Sequence, residues 1–401
     1  MSPAPLAAPG SGRPRGAAPI PATSGPLVED VARLGVIRAS ALGDFIQALP
    51  ALEALRAAYP AAEIVLVGTA THAALVEGRP GPIDRVIPLP VGAVWHAGRA
   101  LATHGDATRP LPGTPDDIRP ASILDSLRAE RFDLVVQLHG GGGESNPVAS
   151  ALGARVTAGA QAPGAPRLDR SIPFLHYQSE LLRALEIVGL VGAPPVTLDP
   201  RFALTDADRS AASEVLAADG PYAVLHPGAT DPRRRWSADR FAGLGDALGE
   251  RGLRVVVTGT GADEASIADD VASAMRHVPV VLVDRLSLPA LVGLLAGARL
   301  VIANDTGPLH LAAAVGTPTV GVFWIGNLVT GGPAYRTRSR PAISWRTACP
   351  RCGADATETR GCDHPDSFVD DVSLERVLEL AADFAPGADA VPERSAELLS
   401  S

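Results

Sequence analysis

The chain contains no lysine: its 35 basic residues are all arginine, set against 44 acidic ones for a formal net charge of −9. Any grip on a phosphate must therefore come from the planar, bidentate fork of arginine or from backbone amides. A net negative charge argues against a general binder of nucleic acid or anionic membranes, although local basic clusters escape that argument. Long apolar runs are missing too, and no stretch reaches transmembrane length. The first 28 residues are rich in Pro, Ala, Gly and Ser but lack the uninterrupted apolar core of a signal peptide, so they read as a disordered tail. Cysteine is scarce: the three present all lie between 349 and 362, an odd, clustered set unlike a secreted disulfide framework. These absences point to a cytoplasmic protein with no nucleic-acid partner and at most peripheral membrane contact.

What is present is alternation. At 401 residues the chain suggests two domains and a cleft between them. The first half reads "RLGVI", a helix over 45–58, "AEIVLVG", "HAALVEG", "DRVIPL", "FDLVVQL" and "ARVTAG", the order of a parallel sheet covered by helices. The second repeats it with "YAVLHPG", "LRVVVTGTG", "VPVVLVD", "RLVIAND" and "TPTVGVF". Prolines in "VGAPPVTLDP", residues 191–200, mark a linker. The expected organisation is an α/β domain over 29–195, a second over 196–385, and a loose tail over 386–401. The Pro/Gly/Arg-rich stretch from Val91 to Pro120 reads as a surface excursion or flap.

Five loops at strand ends carry candidate chemistry. In "RASALGDFIQALPALEALRAAYP", residues 38–60, a small-residue turn places Gly43 and Asp44 at the mouth of a helix. Phe45, Leu49, Leu52, Leu55 and Tyr59 give that helix one apolar face. The ordinary account of Asp44 is capping and the helix dipole, worth about 0.5–2 kcal/mol. The other is a base facing a cleft at the carboxyl end of a parallel strand, where α/β proteins bind ligands. "HPGATDPRRRWSADRF", residues 226–241, places Arg233, Arg234 and Arg235 at a strand end, as a solvated loop or a phosphate grip. In "VIANDTGPLHLAAAVGTPTVGVF", residues 301–323, Pro308 suits a first helical position and Gly316 a helix end, leaving the amides around Thr306 and Gly307 free for an anion. His310 lies one turn inside, and capping is the alternative role for Asp305 and Thr306. Asp263 and Glu264 follow a weak G-x-G turn and can accept hydrogen bonds from a ribose. Gln137 and His139 precede four glycines, either beside a substrate or in a floppy loop.

Three of these segments, "VIRASALGDFIQALPALEALRAAYP", "HPGATDPRRRWSADRFAGLGDAL" and "NDTGPLHLAAAVGTPTVGVF", in this order and at these distances, resemble the signatures of the heptosyltransferase-like glycosyltransferases of family 9. The resemblance spans roughly residues 33–385. It implies a GT-B fold, two Rossmann-like domains facing across a cleft, with the acceptor mainly on the N-terminal side and the nucleotide sugar on the C-terminal side. It further implies that Asp44 is the catalytic base, that Arg234 stands at the family's basic position, usually lysine, and that Asp305, Thr306, Gly307 and His310 hold the donor diphosphate. Gly43, Gln137 and His139 then fall on the acceptor side, with Asp263 and Glu264 on the donor. The arginine at 234 and the length of the 91–120 excursion depart from the family pattern. The implied activity is inverting transfer of a sugar, heptose from ADP-heptose, to an acceptor hydroxyl of a glycan or other molecule, with no cofactor required. A nucleotide-sugar epimerase or hydrolase, or a non-catalytic nucleotide-sugar binder, on the same scaffold is the alternative.

Outside these motifs, "CPRCGADATETRGCDHPDSF" gathers every cysteine beside a histidine. Cys349, Cys352, Cys362 and His364 make a set fit for a structural zinc, although the single residue between the last two is shorter than usual finger spacing. Three free thiols are the alternative.

Overall fold

The computed structural model describes residues 25–102, 119–216, 220–357 and 362–385. The expected C-terminal tail, and all of the N-terminal tail before residue 25, lie outside these. The first half runs β1 (Arg33–Ile37), α1 (Leu42–Ala58), β2 (Glu63–Thr69), α2 (Ala70–Val76), β3 (Arg85–Leu89), α3 (Ala93–Ala102), α4 (Pro120–Ala129), β4 (Leu134–Gln137), α5 (Ser145–Ala151), β5 (Val156–Gln161), β6 (Arg170–Pro173) and α6 (Glu180–Gly189). The second runs α7 (Asp206–Val215), β7 (Tyr222–His226), α8 (Ala238–Gly249), β8 (Arg254–Gly259), α9 (Gly261–Ala274), β9 (Val280–Val283), α10 (Leu288–Gly297), β10 (Leu300–Asn304), α11 (Gly307–Ala314), β11 (Thr319–Trp324), α12 (Ile325–Gly331), β12 (Ser339–Ser344) and α13 (Leu374–Ala381).

The strands form two six-stranded sheets, ordered β3-β2-β1-β4-β5-β6 and β12-β11-β10-β7-β8-β9. Every pairing is parallel. Counted within its own half, each sheet has the order 3-2-1-4-5-6 of a dinucleotide-binding fold. The chain is thus an α/β protein of two Rossmann-like domains, the GT-B architecture. The inner strands are apolar because helices cover both faces: Leu34, Val36 and Ile37 in β1, and Leu300, Val301 and Ile302 in β10, are wholly buried.

Two expectations change. Helix α1 is not buried on one face only: Phe45 to Leu52, with Ala54 and Leu55, are all buried, because the helix is wedged between its sheet, α6 and α11 of the other half. The 91–120 stretch opens not as a loop but as α3, whose Ala93, Val94 and Ala97 are buried against Ile37, Val65 and Val67. Residues 103–118 of that stretch lie outside the described residues.

The halves are tied by side chains. The Arg79 guanidinium makes two hydrogen bonds to buried Asp208, at 2.7 and 2.8 Å, and stacks on Phe202 at 4.3 Å. Gln47 donates to the Gly331 carbonyl at 2.9 Å, and the Tyr177 hydroxyl donates to the Thr357 carbonyl at 2.8 Å. No helix among the described residues is long and apolar enough to cross a membrane.

Candidate active site

In an open parallel sheet the loops on either side of the strand-order reversal part and leave a crevice at the carboxyl ends. Here the reversals lie between β1 and β4 and between β7 and β10. A cleft of about 480 Å³ lies between the halves, lined by Gly43 and Asp44 beyond β1, Arg234 beyond β7, and Asp305, Thr306, Gly307 and His310 beyond β10.

Asp44 lies in the first turn of α1, where the cap position is Ala41 and no side chain caps the helix. Its carboxylate is about half exposed and sits 3.6 Å from Nη2 of Arg38. Arg38, at the end of β1, is buried and held from the other side by the Leu138 carbonyl and by Glu180, 3.2 Å away. Glu180 in turn takes a bond from Arg183, whose guanidinium lies 4.3 Å over the Phe174 ring. A buried cation with such braces is an immobile electrostatic neighbour for the Asp44 carboxylate.

On the opposite wall the three consecutive arginines have separate fates. Arg233 makes a bidentate pair with Asp231 at 2.6–3.0 Å, and Arg235 Nε donates to the Ala229 carbonyl at 2.8 Å. Arg234 makes only long contacts to Asp305, 3.4 Å to its carbonyl and 3.5 Å to its carboxylate, and its Nε has no partner among the described residues. It alone of the three lines the cleft. The loop is fixed by Asn304, whose side chain accepts from the Trp236 amide at 3.1 Å and donates to the Pro227 carbonyl at 2.8 Å. Buried Asp305 receives His310 Nε2 at 3.0 Å, while Gln47 meets His310 Nδ1 at 3.3 Å. Burial acts to raise the Asp305 carboxyl, but the bond from His310 and the charges of His310 and Arg234 outweigh it and hold it below the usual range. Helix α11 has no side-chain cap at Thr306, so its first-turn amides and positive dipole end face the cleft.

Two glycines let these parts converge. A Cβ on Gly43 would lie 2.9 Å from the His310 ring, and one on Gly307 would lie 2.9 Å from Leu42 Cβ. The starts of α1 and α11 thus meet closely, the His310 ring lying on Gly43 and the Leu42 side chain on Gly307.

Glu264 lines the cleft and accepts the Thr260 amide at 2.8 Å; it folds over Gly228, where a Cβ would collide with its carboxylate. Asp263, expected beside it, does not line the cleft: its carboxylate is almost fully exposed and lies 4.0 Å from Arg235. Gln137 is wholly buried and spends its amide on the His139 carbonyl and Ser145, so it braces its loop instead of facing a ligand. His139 lies behind Arg38 and Asp44 and outside the cleft lining; burial, and then the Arg38 charge, lower its imidazole below the ordinary range. The sequence reading missed Arg38, Gln47, Glu180 and His226, which belong to the cleft or its support. The position of Arg38 as the residue closing a parallel strand was a usable signal, whereas Glu180 has none in the linear sequence.

The four thiol and imidazole groups of Cys349, Cys352, Cys362 and His364 do gather, each potential ligand atom within 4.8 Å of the others. Cys349 Sγ lies 3.7 Å from His364 Nδ1. Burial acts to raise the Cys349 thiol, but hydrogen bonds from the Cys352 amide, the other thiols and the Arg351 amide bring it down to about 6. A thiol that ionises readily among two others and an imidazole is a donor set suited to a tetrahedral metal.

The profile of glycosyltransferase family 9 (heptosyltransferase) matches residues 121–339. Lipopolysaccharide heptosyltransferase 3 of Escherichia coli K12 is 35% identical over 112 residues, a match that covers 27% of this chain and only 33% of that relative. Lipopolysaccharide heptosyltransferase 1 of Pseudomonas aeruginosa is 28% identical over 308 residues, covering 73% of this chain and 78% of its own. The solved structure of E. coli ADP-heptose lps heptosyltransferase II superposes with a TM-score of 0.66 at 20% identity, covering 88% of this chain and 98% of that one. With more than half of its length matched by one family profile, and with that family's fold, the chain belongs to glycosyltransferase family 9.

Proposed function

We propose that the protein is an inverting glycosyltransferase that moves a sugar, heptose from ADP-heptose, onto an acceptor hydroxyl, with the acceptor mainly on the side of residues 29–195 and the donor on that of 196–385. The observation that carries this reading is the convergence, in one cleft, of a half-exposed carboxylate from the first half with Arg234 and the open start of α11 from the second. The family's relatives with ADP-heptose and lipopolysaccharide in their names support the choice of donor and an acceptor sugar.

In this reading Asp44 takes the proton of the acceptor hydroxyl as its oxygen attacks the anomeric carbon, help worth about 10²–10⁴-fold. The new bond forms on the face opposite the departing diphosphate. The charge that develops on the leaving group meets Arg234 and the amides of Thr306 and Gly307, each well-aimed donor contributing about 3–4 kcal/mol. Glu264 accepts from the ribose, and Leu286, Leu288 and Leu291 give the nucleoside an apolar wall. Cys349, Cys352, Cys362 and His364 would hold a structural zinc, which when bound cross-links the loop ahead of α13.

Purified protein screened against nucleotide sugars by thermal shift identifies the donor, and acceptor-dependent release of nucleotide diphosphate tests transfer. Asp44→Asn keeps the shape of the side chain and loses the base, so turnover falls about 10²–10⁴-fold with donor affinity nearly unchanged. Near-normal turnover in that variant removes the base from the mechanism. Release without acceptor identifies a hydrolase, and binding without turnover a carrier.

A further inference from the structure

A second chamber of about 380 Å³ adjoins the cleft and shares Asn327 and Thr330 of α12 with it. It is walled by both halves: His176 and Tyr177 come from the loop before α6, and Trp324 and Phe368 from the second half. Aromatic residues make up only 4% of this chain, yet three of them line this one space. We propose that the chamber binds a neutral pyranoside ring of the acceptor, an assignment that rests on the transferase reading above and adds to it where the acceptor lies.

The aromatic platforms are fixed in place. Trp324 Nε1 donates to the Arg346 carbonyl at 2.5 Å, and the ring packs on Phe368 at 5.5 Å between centroids. It also lies flush against Gly326, where a Cβ would collide with it. Tyr177 is anchored through its hydroxyl to the Thr357 carbonyl and packs edge-on against His176 at 4.8 Å. Rigid aromatic faces suit the C–H face of a sugar ring; the exposed imidazole of His176 and the oxygen of the Thr330 hydroxyl, whose proton goes to the Gly326 and Asn327 carbonyls at 3.3 Å, can meet its hydroxyls.

The charge balance sets the class of ligand. Arg233, the guanidinium that the described residues place in the chamber wall, is already neutralised by its bidentate pair with Asp231, so among the described residues a phosphorylated ring finds no unpaired cation there and a neutral one loses nothing. The position suits an acceptor as well. Helix α12 separates the chamber from the cleft, and its last residue, Gly331, takes the Gln47 amide one helical turn from Asp44.

Saturation-transfer NMR on the full chain, with the methyl α-pyranosides of glucose, galactose and mannose as probes and saturating ADP in the cleft, tests the assignment. At least one glycoside is expected to receive saturation at its ring C–H protons, undiminished by ADP. Its affinity should fall about two- to ten-fold in His176→Ala and in Trp324→Leu, the scale of a lost aromatic contact. His176 is exposed, so that variant keeps the fold, and an unchanged melting temperature and ADP affinity certify both. Displacement of the glycoside by ADP, equal binding in both variants, tighter binding of glucose 6-phosphate than of methyl glucoside, or no saturation in any of the three overturns the proposal. Failure of ADP itself to bind counts against the transferase reading, and the glycoside result in the ADP-free protein still decides the chamber.

Discussion

His72, buried under α1, stacks on Phe45 at 4.8 Å and accepts the Thr69 amide at 3.1 Å through Nδ1. Burial, and then the positive Arg38 nearby, lower its imidazole from 6.5 to about 4. The folded chain therefore keeps His72 neutral over a range in which the unfolded chain protonates it. Its contribution is complete above about pH 6.5, declines as pH falls towards 4 because the unfolded state gains the proton first, and levels off below. The loss across that window reaches about 2–3 kcal/mol. Denaturant titrations at pH 7 and pH 5 should show this slope in the parent and a shallower one in His72→Gln, the amide retaining an acceptor for Thr69 without a titrating proton. Identical slopes assign the pH dependence to other groups. On the cleft side the same Arg38 guanidinium lies 3.6 Å from the Asp44 carboxylate.

At the scale of elements, α9 separates two neighbouring acids. Successive helical residues point about 100° apart, so Glu264 turns into the cleft while Asp263 turns to solvent. Isothermal titration with ADP should show about ten-fold weaker binding for Glu264→Ala, the loss of a charged hydrogen bond, and no change for Asp263→Ala. Equal affinities in both would remove Glu264 from the nucleotide site. The sequence offered both acids because helical phase depends on where the helix starts, and the glycine turn leaves that start open by a residue. The long strands, by contrast, are legible as apolar runs bounded by turns, and the cleft loops are legible because each follows such a run. The short edge strands β6, "RSIP", and β12, "SRPAIS", are not, since prolines and half-exposed polar residues erase the pattern. The one-face reading of α1 failed for a tertiary reason: the far side of that helix is covered by a segment some 260 residues later in the chain, as the Gln47 to His310 contact shows. The same distance problem hid Glu180, which meets Arg38 across 142 residues.

At the scale of the molecule, the cysteine cluster holds the loop that reaches back to the first half through Tyr177 and Thr357. Elemental analysis of protein purified without chelator or affinity nickel should find close to one equivalent of zinc, lost in Cys352→Ser, with the melting temperature lowered by several degrees, about 2–4 °C per kcal/mol in a large domain. Less than about half an equivalent, unchanged by the substitution, leaves three ordinary thiols. The equal strand order of the two sheets gives each half a crevice of the same kind, and the fold turns the two crevices towards each other. Where they meet, the contact is made by Gly43 and Gly307, and this has a mechanical consequence. Each glycine lets a side chain of the other half lie against backbone, His310 on Gly43 and Leu42 on Gly307. Even one methyl group at either position would act as a wedge, pressing the two walls of the cleft apart at the place where Asp44 and the open start of α11 face each other.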